Sequence, residues 1–211
     1  MKDISYYMLC RKEVFALLKR KPKRILEIGC AAGCFRRNFE EVEYWGVEPV
    51  REVAEIARGS LTKVLVGCYD DVKFQIPDAY FDLVVCNDVI EHMANPLSFL
   101  IDVKDKLKNG GCLLGSVPNV RYLPVMFGYM VLRDWRYNPK GGVLDETHLR
   151  FFTKKSFTRM AGGIDGYSIE VVRFITSPCY RLAKLLLSLV VWPIGLDVLM
   201  GQIGFRLRKV S

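Results

Sequence analysis

Histidine is nearly absent from this 211-residue chain: His92 and His148 are the whole supply. Imidazole chemistry near neutral pH must therefore use one of these two side chains. Paired cysteines of the CxxC kind are missing as well. The seven cysteines (Cys10, Cys30, Cys34, Cys68, Cys86, Cys112, Cys179) are odd in number, and several fall inside apolar runs. That pattern argues against a disulfide framework and for buried, reduced thiols in a cytoplasmic protein. No uncharged apolar run approaches the roughly 18 residues of a membrane span. The first stretch, "MKDISYYMLCRKEVFALLKRK", is charged throughout and lacks the apolar centre of a signal peptide. Repeats, low-complexity segments and linkers are not seen. Acid is in deficit, with 23 Asp and Glu against 31 Lys and Arg, a net charge of +8. The basic residues gather at "KRKPKR" (Lys19 to Arg24), at Arg36-Arg37 and at "RLRK" (Arg206 to Lys209). A basic surface attracts phosphates, anionic lipid or nucleic acid. Clusters this scattered read as solvated faces, so nucleic acid is not the expected partner.

What is present is a large apolar share, 51% of residues, enough for one domain over 1–211 with a sizeable core. Residues 4–20 predict a helix with a loose apolar stripe, ended by Pro22, so that 1–21 forms an N-terminal helical segment. Short β-rich runs follow at 24–29, 43–49, 63–67, 81–87 and 112–119. Between them lie a helix-compatible stretch to about Glu40, a helix at 50–58, and an amphipathic helix at 95–111 closed by a glycine pair. Strands alternating with helices at this spacing imply βαβ units and a parallel sheet, and the nearly continuous apolar strands imply helices on both faces. After Asn119 the rhythm breaks. "YLPVMFGYMVL" (122–132) predicts a helical insertion, a loop carries "GVLDETHLRFFT", and a helix near 154–161 has Thr153 as its N-cap. Two terminal strands are expected at 168–175 and 202–210, separated by an apolar helix near 179–191. The segments thus divide into a core at 22–118, an acceptor-side cap at 119–166, and terminal strands with the apolar helix at 167–211.

In "LEIGCAAGCF" a strand runs into a glycine-containing turn and then a helix. Gly29 allows a sharp turn and Gly33 a close start for the next helix. Ala31 stands where a dinucleotide fingerprint has its second glycine, so this is not the pyrophosphate pattern. Glu48 ends the second strand about 20 residues later, where a carboxylate can accept hydrogen bonds from both ribose hydroxyls of a nucleoside. "ILEIGCAAG", "YWGVEP", "FDLVVCNDVIEHM" and "LKNGGCLLGSVPN", in that order, resemble the successive motifs of class I S-adenosylmethionine-dependent methyltransferases. "GVLDETHLRFFT" resembles a signature of a bacterial and archaeal branch often found in surface-polysaccharide or small-metabolite pathways. The resemblance covers roughly residues 22–175. It implies a Rossmann-like α/β fold with a seven-stranded, mostly parallel sheet whose last strand is antiparallel, plus a small helical cap after strand five.

The resemblance also implies roles. Glu27, Gly29, Cys30 and Gly33 are expected around the methionine part of S-adenosylmethionine, with Ala31 in the same turn. Glu48 is expected at the ribose and Pro49 beside the adenine. Cys68 stands where the family commonly has the acid that holds the adenine amino group. Tyr69, Asp70 and Asp71 are its candidate substitutes, Tyr69 being counted with the cofactor contacts. Asn87 and Asp88 end the fourth strand beside the sulfonium.

Asp88, Glu91 and His92 are spaced i, i+3, i+4 and share one face if a helical turn follows the fourth strand. The loop bearing His148 can fold over the same sheet edge, so the two histidines are expected to flank one pocket. Methyl transfer to a hydroxyl needs alignment and loss of a proton. His148 is the first candidate base, with His92 and Asp88 in reserve; the bland alternative is that His148 pins its loop through Asp145. A second alternative makes Asp88, Glu91, His92 and His148 ligands of manganese, iron or cobalt, a pattern resembling small-RNA ribose 2′-O-methyltransferases. The expectation here is no resident metal. Tyr122, Trp135, Tyr137 and Arg150 are candidate acceptor contacts.

The leading expectation is an enzyme that O-methylates a sugar or related small molecule in glycan or natural-product assembly. The alternatives are a metal-assisted RNA methyltransferase and a cofactor-fold module that binds without catalysis. Partners follow: a small-molecule or glycan acceptor, with a homodimer and peripheral membrane contact through the apolar stretch "RLAKLLLSLVVWPIGLDVLM" (181–200) as further readings, the latter compatible with a cytoplasmic, membrane-peripheral location.

Overall fold

The computed structural model describes residues 7–175 and 195–210. Its centre is a seven-stranded sheet in the order β3-β2-β1-β4-β5-β7-β6. The strands are β1 (Arg24–Ile28), β2 (Glu43–Glu48), β3 (Lys63–Val66), β4 (Phe81–Asn87), β5 (Leu107–Pro118), β6 (Tyr167–Ile175) and β7 (Gln202–Lys209). Neighbours from β3 through β5 pair in parallel, and β7 runs antiparallel between β5 and β6. The expected sheet, with its antiparallel last strand, is what forms.

Alternation along the strands splits the core into two layers. Leu26, Ile28, Val84, Cys86 and Leu113 face one side, which α3 (Tyr69–Val72), α4 (Pro96–Lys106) and α6 (Lys154–Gly162) cover with Tyr69, Phe99, Val103, Phe157 and Ala161. Ile25, Leu83, Val85 and Leu114 face the other, against Val14 of α1 (Lys12–Phe15), Phe35 of a 3₁₀ turn over Cys34–Asn38, and Ala57 of α2 (Arg51–Arg58). Burying a large apolar side chain contributes about 1.5–3 kcal/mol. The central strands therefore read as continuous apolar runs.

Three sequence expectations need correction. The helix predicted over 4–20 is, within the described residues, the single turn α1. Arg11 takes a left-handed conformation (φ 43°) at its start, because its guanidinium is drawn inward (below). The helix expected toward Glu40 is the 3₁₀ turn, closed where the Asn38 amide donates to the carbonyls of Phe35 and Cys10. The helix predicted over 95–111 stops at Lys106. The backbone N–H groups of Ala79 and Tyr80 take the carbonyls of Asp105 and Lys106, and Leu107 joins the ladder opposite Phe81.

Within 119–166, α5 (Leu123–Met130) projects as a cap without a buried residue, whereas α6 belongs to the layer on the sheet. Thr153 caps α6 by accepting from the Ser156 N–H at 3.1 Å. The apolar helix expected near 179–191 lies outside the described residues. Among the described residues, no helix is long and apolar enough to cross a membrane.

Candidate active site

The C-terminal ends of β1, β2, β4 and β5 form one edge, and the glycine turn lies there. Gly29 has φ 69°, and a Cβ at this position would meet Val89 Cγ2 at 2.7 Å. Glycine is required on both counts. Ala31 also has a positive φ, 47°. The conformation is held because its N–H donates to Glu48 Oε2 at 2.9 Å, while Glu48 Oε1 accepts from the Val50 N–H at 3.0 Å. The acid at the tip of β2 thus turns toward the glycine bend. Burial raises the Glu48 carboxyl above its ordinary range, and the two backbone donors oppose that rise. Gly33 (φ 78°) starts the 3₁₀ turn, where a Cβ would meet Ser60 Oγ at 2.8 Å.

Glu27 is buried beneath this turn, accepting from Tyr44 Oη at 2.8 Å. Burial pushes its carboxyl up to about 8. A buried carboxyl poised near neutrality is a ready partner for an ammonium group, which would restore its charge. The Asn87 amide is buried at the end of β4 and meets no partner with hydrogen-bonding geometry among the described residues. Cys30 differs from expectation in its side chain. The thiol packs into the core over Gly46, where a Cβ would meet Sγ at 2.5 Å, so contact with a cofactor would fall to its backbone. Tyr69 likewise turns into the core, its ring edge-on to Phe99 at 5.1 Å. Cys68 is exposed at the start of α3, and its N–H donates to Asp71. Asp70 pairs with Lys73, and Pro49 is exposed at the rim.

The two histidines meet: their ring centroids are 4.8 Å apart, at 72°. His92 closes a 3₁₀ turn over Ile90–His92, and the N–H groups of Leu149 and Arg150 donate to the carbonyl of Glu91, pulling the second loop onto the first. His148 Nδ1 lies 3.0 Å from the Val143 carbonyl, and His92 Nδ1 lies 3.1 Å from the Thr147 carbonyl. A carbonyl only accepts, so both rings carry hydrogen on Nδ1 and an acceptor lone pair on Nε2. His148 Nε2 is 3.8 Å from Glu91 Oε1. Glu91 is fully buried, and neither of its oxygens has a hydrogen-bond partner among the described residues. Burial, and then Asp88, raise its carboxyl well above the ordinary range. Glu91, His92 and His148 can each turn one ligand atom to within 4.8 Å of the others.

Asp88 lies outside this set of converging atoms, although its charge reaches Glu91. It has a left-handed backbone (φ 54°) and is ion-paired to Arg11. Ser116 Oγ donates to its Oδ1 at 3.0 Å, and Arg11 Nη2 donates to that same hydroxyl at 2.7 Å. The His148 N–H donates to the Asp145 carbonyl at 3.0 Å, as the loop-pinning reading expects, while Asp145 Oδ1 accepts from the N–H and hydroxyl of Thr147 and the His148 ring goes to Val143. Arg150 donates to the carbonyls of Ala94 and Leu149, pinning its loop to the segment after His92.

Of the other acceptor candidates, Trp135 and Tyr137 gather on Phe151, with centroids at 5.2 and 6.4 Å, and His148 lies 6.4 Å from the same ring. Tyr122 stands apart at the start of α5, beside Gly201. Arg11, Ser116 and Phe151 are the site residues the sequence reading missed. Phe151 was legible as the ring beside Arg150 in the quoted motif. Arg11 carried no signal, being 77 residues from its partner.

The methyltransferase domain family matches residues 3–165. An uncharacterized protein of Methanocaldococcus jannaschii is 32% identical over 122 residues, 57% of this chain and 58% of its own length. A ubiquinone biosynthesis O-methyltransferase of Ruegeria is 32% identical over 126 residues, 53% of this chain and 49% of its own. The chain thus spans about half the length of these relatives. A SAM-dependent methyltransferase from Archaeoglobus fulgidus superposes with a TM-score of 0.66 at 17% identity, over 98% of this chain and 95% of that one. The plantazolicin methyltransferase BamL, solved with SAH and a triazolic desmethylPZN analog, superposes with a TM-score of 0.63 at 14% identity, over 99% and 84%. The glycine bend, the acid turned toward it and the sheet that carries both are accounted for together: this chain belongs to the methyltransferase domain family and has the fold of the S-adenosylmethionine-dependent methyltransferases.

Proposed function

We propose that this chain transfers a methyl group from S-adenosylmethionine to a hydroxyl of a sugar or related small molecule. The observation that carries the reading is the meeting of His92, His148 and Glu91 on the edge that carries the glycine turn. Relatives named for O-methylation support an oxygen acceptor. When bound, the cofactor supplies an electrophilic methyl on a sulfonium. Glu48 would accept the ribose hydroxyls with the lone pairs its backbone donors leave, and Glu27 would take the ammonium end. His148, with hydrogen fixed on Nδ1, would receive the acceptor's proton at Nε2 as the oxygen–methyl bond forms and the carbon–sulfur bond breaks. Such a base contributes roughly 10²–10⁴-fold. Trp135, Tyr137 and Phe151 offer ring faces suited to a sugar or an aromatic ring.

A second reading makes Glu91, His92 and His148 the holders of a divalent cation over vicinal hydroxyls. Its support is the buried Glu91 carboxyl, which has no hydrogen-bond partner among the described residues, since a buried polar group left unpaired is a costly arrangement that a cation relieves. The donor set, one oxygen with two imidazole nitrogens, suits manganese, iron or cobalt.

Incubating the protein with isotopically labelled cofactor and cell glycan, metabolite and RNA fractions, followed by mass spectrometry, tests both. Label in the glycan or metabolite fraction is expected. Label in RNA overturns the first reading, and loss of transfer with a chelator favours the second.

A further inference from the structure

The edge of the sheet opposite the glycine turn holds a cavity of about 540 Å³, within the range of small-molecule sites. One wall is the segment 18–24 entering β1. The other is the start of β5 at 108–112 with the far ends of β6 and β7. We propose that this cavity binds a compact, multiply charged phosphate, a di- or triphosphate group, at a site separate from the methyl-transfer crevice.

Charge is the first argument. Eight cationic side chains line the cavity against two carboxylates, Asp82 and Glu170. Both carboxylates are already engaged. Asp82 accepts from the N–H groups of Lys23 and Arg24 and from Lys108 Nζ, at 2.9 to 3.0 Å. Glu170 accepts from Arg206 Nε at 2.7 Å and pairs with Arg208 Nη2 at 2.5 Å. Among the described residues, the side chains of Lys19, Arg20, Lys21 and Lys23 have no carboxylate partner. Like charges converging on one concavity repel, and a multivalent anion relieves that repulsion.

The second argument is a buried donor. Arg206 is 1% exposed. Its Nη1 donates to the Leu17 carbonyl, but its Nη2, like Arg208 Nε, is buried with no hydrogen-bond partner among the described residues. Guanidinium groups with donors to spare suit phosphate oxygens.

The third argument narrows the ligand. Among the described residues, no aromatic side chain lines the cavity, so a nucleobase finds no ring there to stack on. The groups also line a concavity rather than a stripe, which fits a small anion better than a nucleic-acid strand or a membrane surface.

The test is calorimetric titration of the full chain with inorganic pyrophosphate and tripolyphosphate at constant ionic strength. Parallel arms use anionic phosphatidylglycerol vesicles and single-stranded RNA, and S-adenosylhomocysteine binding is the control. Tripolyphosphate is expected to bind with a Kd on the order of 10–100 μM. The double variant Arg20→Glu, Lys21→Glu, both exposed positions, should weaken it at least about tenfold while the melting temperature and S-adenosylhomocysteine affinity hold. The proposal is overturned by any of four results: no tripolyphosphate binding at millimolar concentration, binding unchanged in the variant, competition with S-adenosylhomocysteine, or vesicle or RNA binding tighter than tripolyphosphate and lost in the variant.

Discussion

Arg11 and Asp88, 77 residues apart, form an ion pair at the end of β4, with the Ser116 hydroxyl bridging them. Both backbones sit in the left-handed region, which disfavours ordinary side chains by about 1–3 kcal/mol each unless the surroundings hold them. The pair fastens the N-terminal segment to the edge that carries the proposed chemistry. Replacing Arg11 by Ala leaves a half-buried carboxylate without its cation and should lower stability by about 1–3 kcal/mol. Arg11→Met with Asp88→Asn together should cost less than the sum of the two single changes. Denaturant midpoints of the four proteins check this, and strict additivity would show that the pair is not coupled.

His148 and His92 separate by kinetics. His148→Ala should lower kcat about 10²–10⁴-fold while S-adenosylhomocysteine affinity stays within about threefold. His92→Ala should lower kcat less. Equal losses, or a loss confined to cofactor binding, would remove His148 from the role of base.

Glu27 gives a pH prediction. Its carboxyl titrates at about 8 in the folded protein against 4.5 when unfolded. The folded state therefore holds the extra proton across that interval. The favourable contribution is full below pH 4.5 and is lost as pH rises through 8. Glu27→Gln, which keeps the shape without the charge, should raise the melting temperature by about 3–6 °C at pH 8.5 and much less at pH 5. Calorimetric scans at the two pH values measure it. A uniform shift would assign the effect to packing. The same variant should lose cofactor affinity if the carboxylate meets the ammonium group.

Glu91→Gln discriminates the two catalytic readings. Burial, and then Asp88, raise this carboxyl well above its ordinary range, so the amide, which has the shape of the protonated acid, should fold as well as the parent. If His148 acts as base, transfer should survive, within about tenfold. If a cation is held there, transfer and chelator sensitivity should vanish together, and metal analysis of both proteins should show stoichiometric ion in the parent alone.

Gly29→Ala introduces a Cβ against Val89 at 2.7 Å in a left-handed backbone. A cost of about 1–3 kcal/mol and weaker S-adenosylhomocysteine binding are expected. Thermal melts with and without ligand would expose an undisturbed turn.

The sheet was legible because its cause is local. Val, Ile and Leu runs bounded by charge or glycine form strands, and the alternating helices dictate parallel order. Gly29 and Glu48 were legible because a turn and a strand end fix where a residue stands. Side-chain direction was not. Cys30 and Tyr69, expected beside the cofactor, point into the core, since Gly46 leaves room for the thiol and Phe99 offers an edge to the ring.

Sequence by itself determined the layered α/β frame, the edge on which chemistry can occur, and the candidates His92 and His148. Only the tertiary structure decided which of them touch. It tied Asp88 to Arg11, set Glu91 beside the His148 imidazole, tied Arg150 to the Ala94 carbonyl, and gathered the basic residues of 19–24 and 206–208 around one cavity at the far edge. Spacing along a chain limits where a backbone can go, but contacts between segments 50 to 190 residues apart depend on loop closure and packing, which no local pattern records.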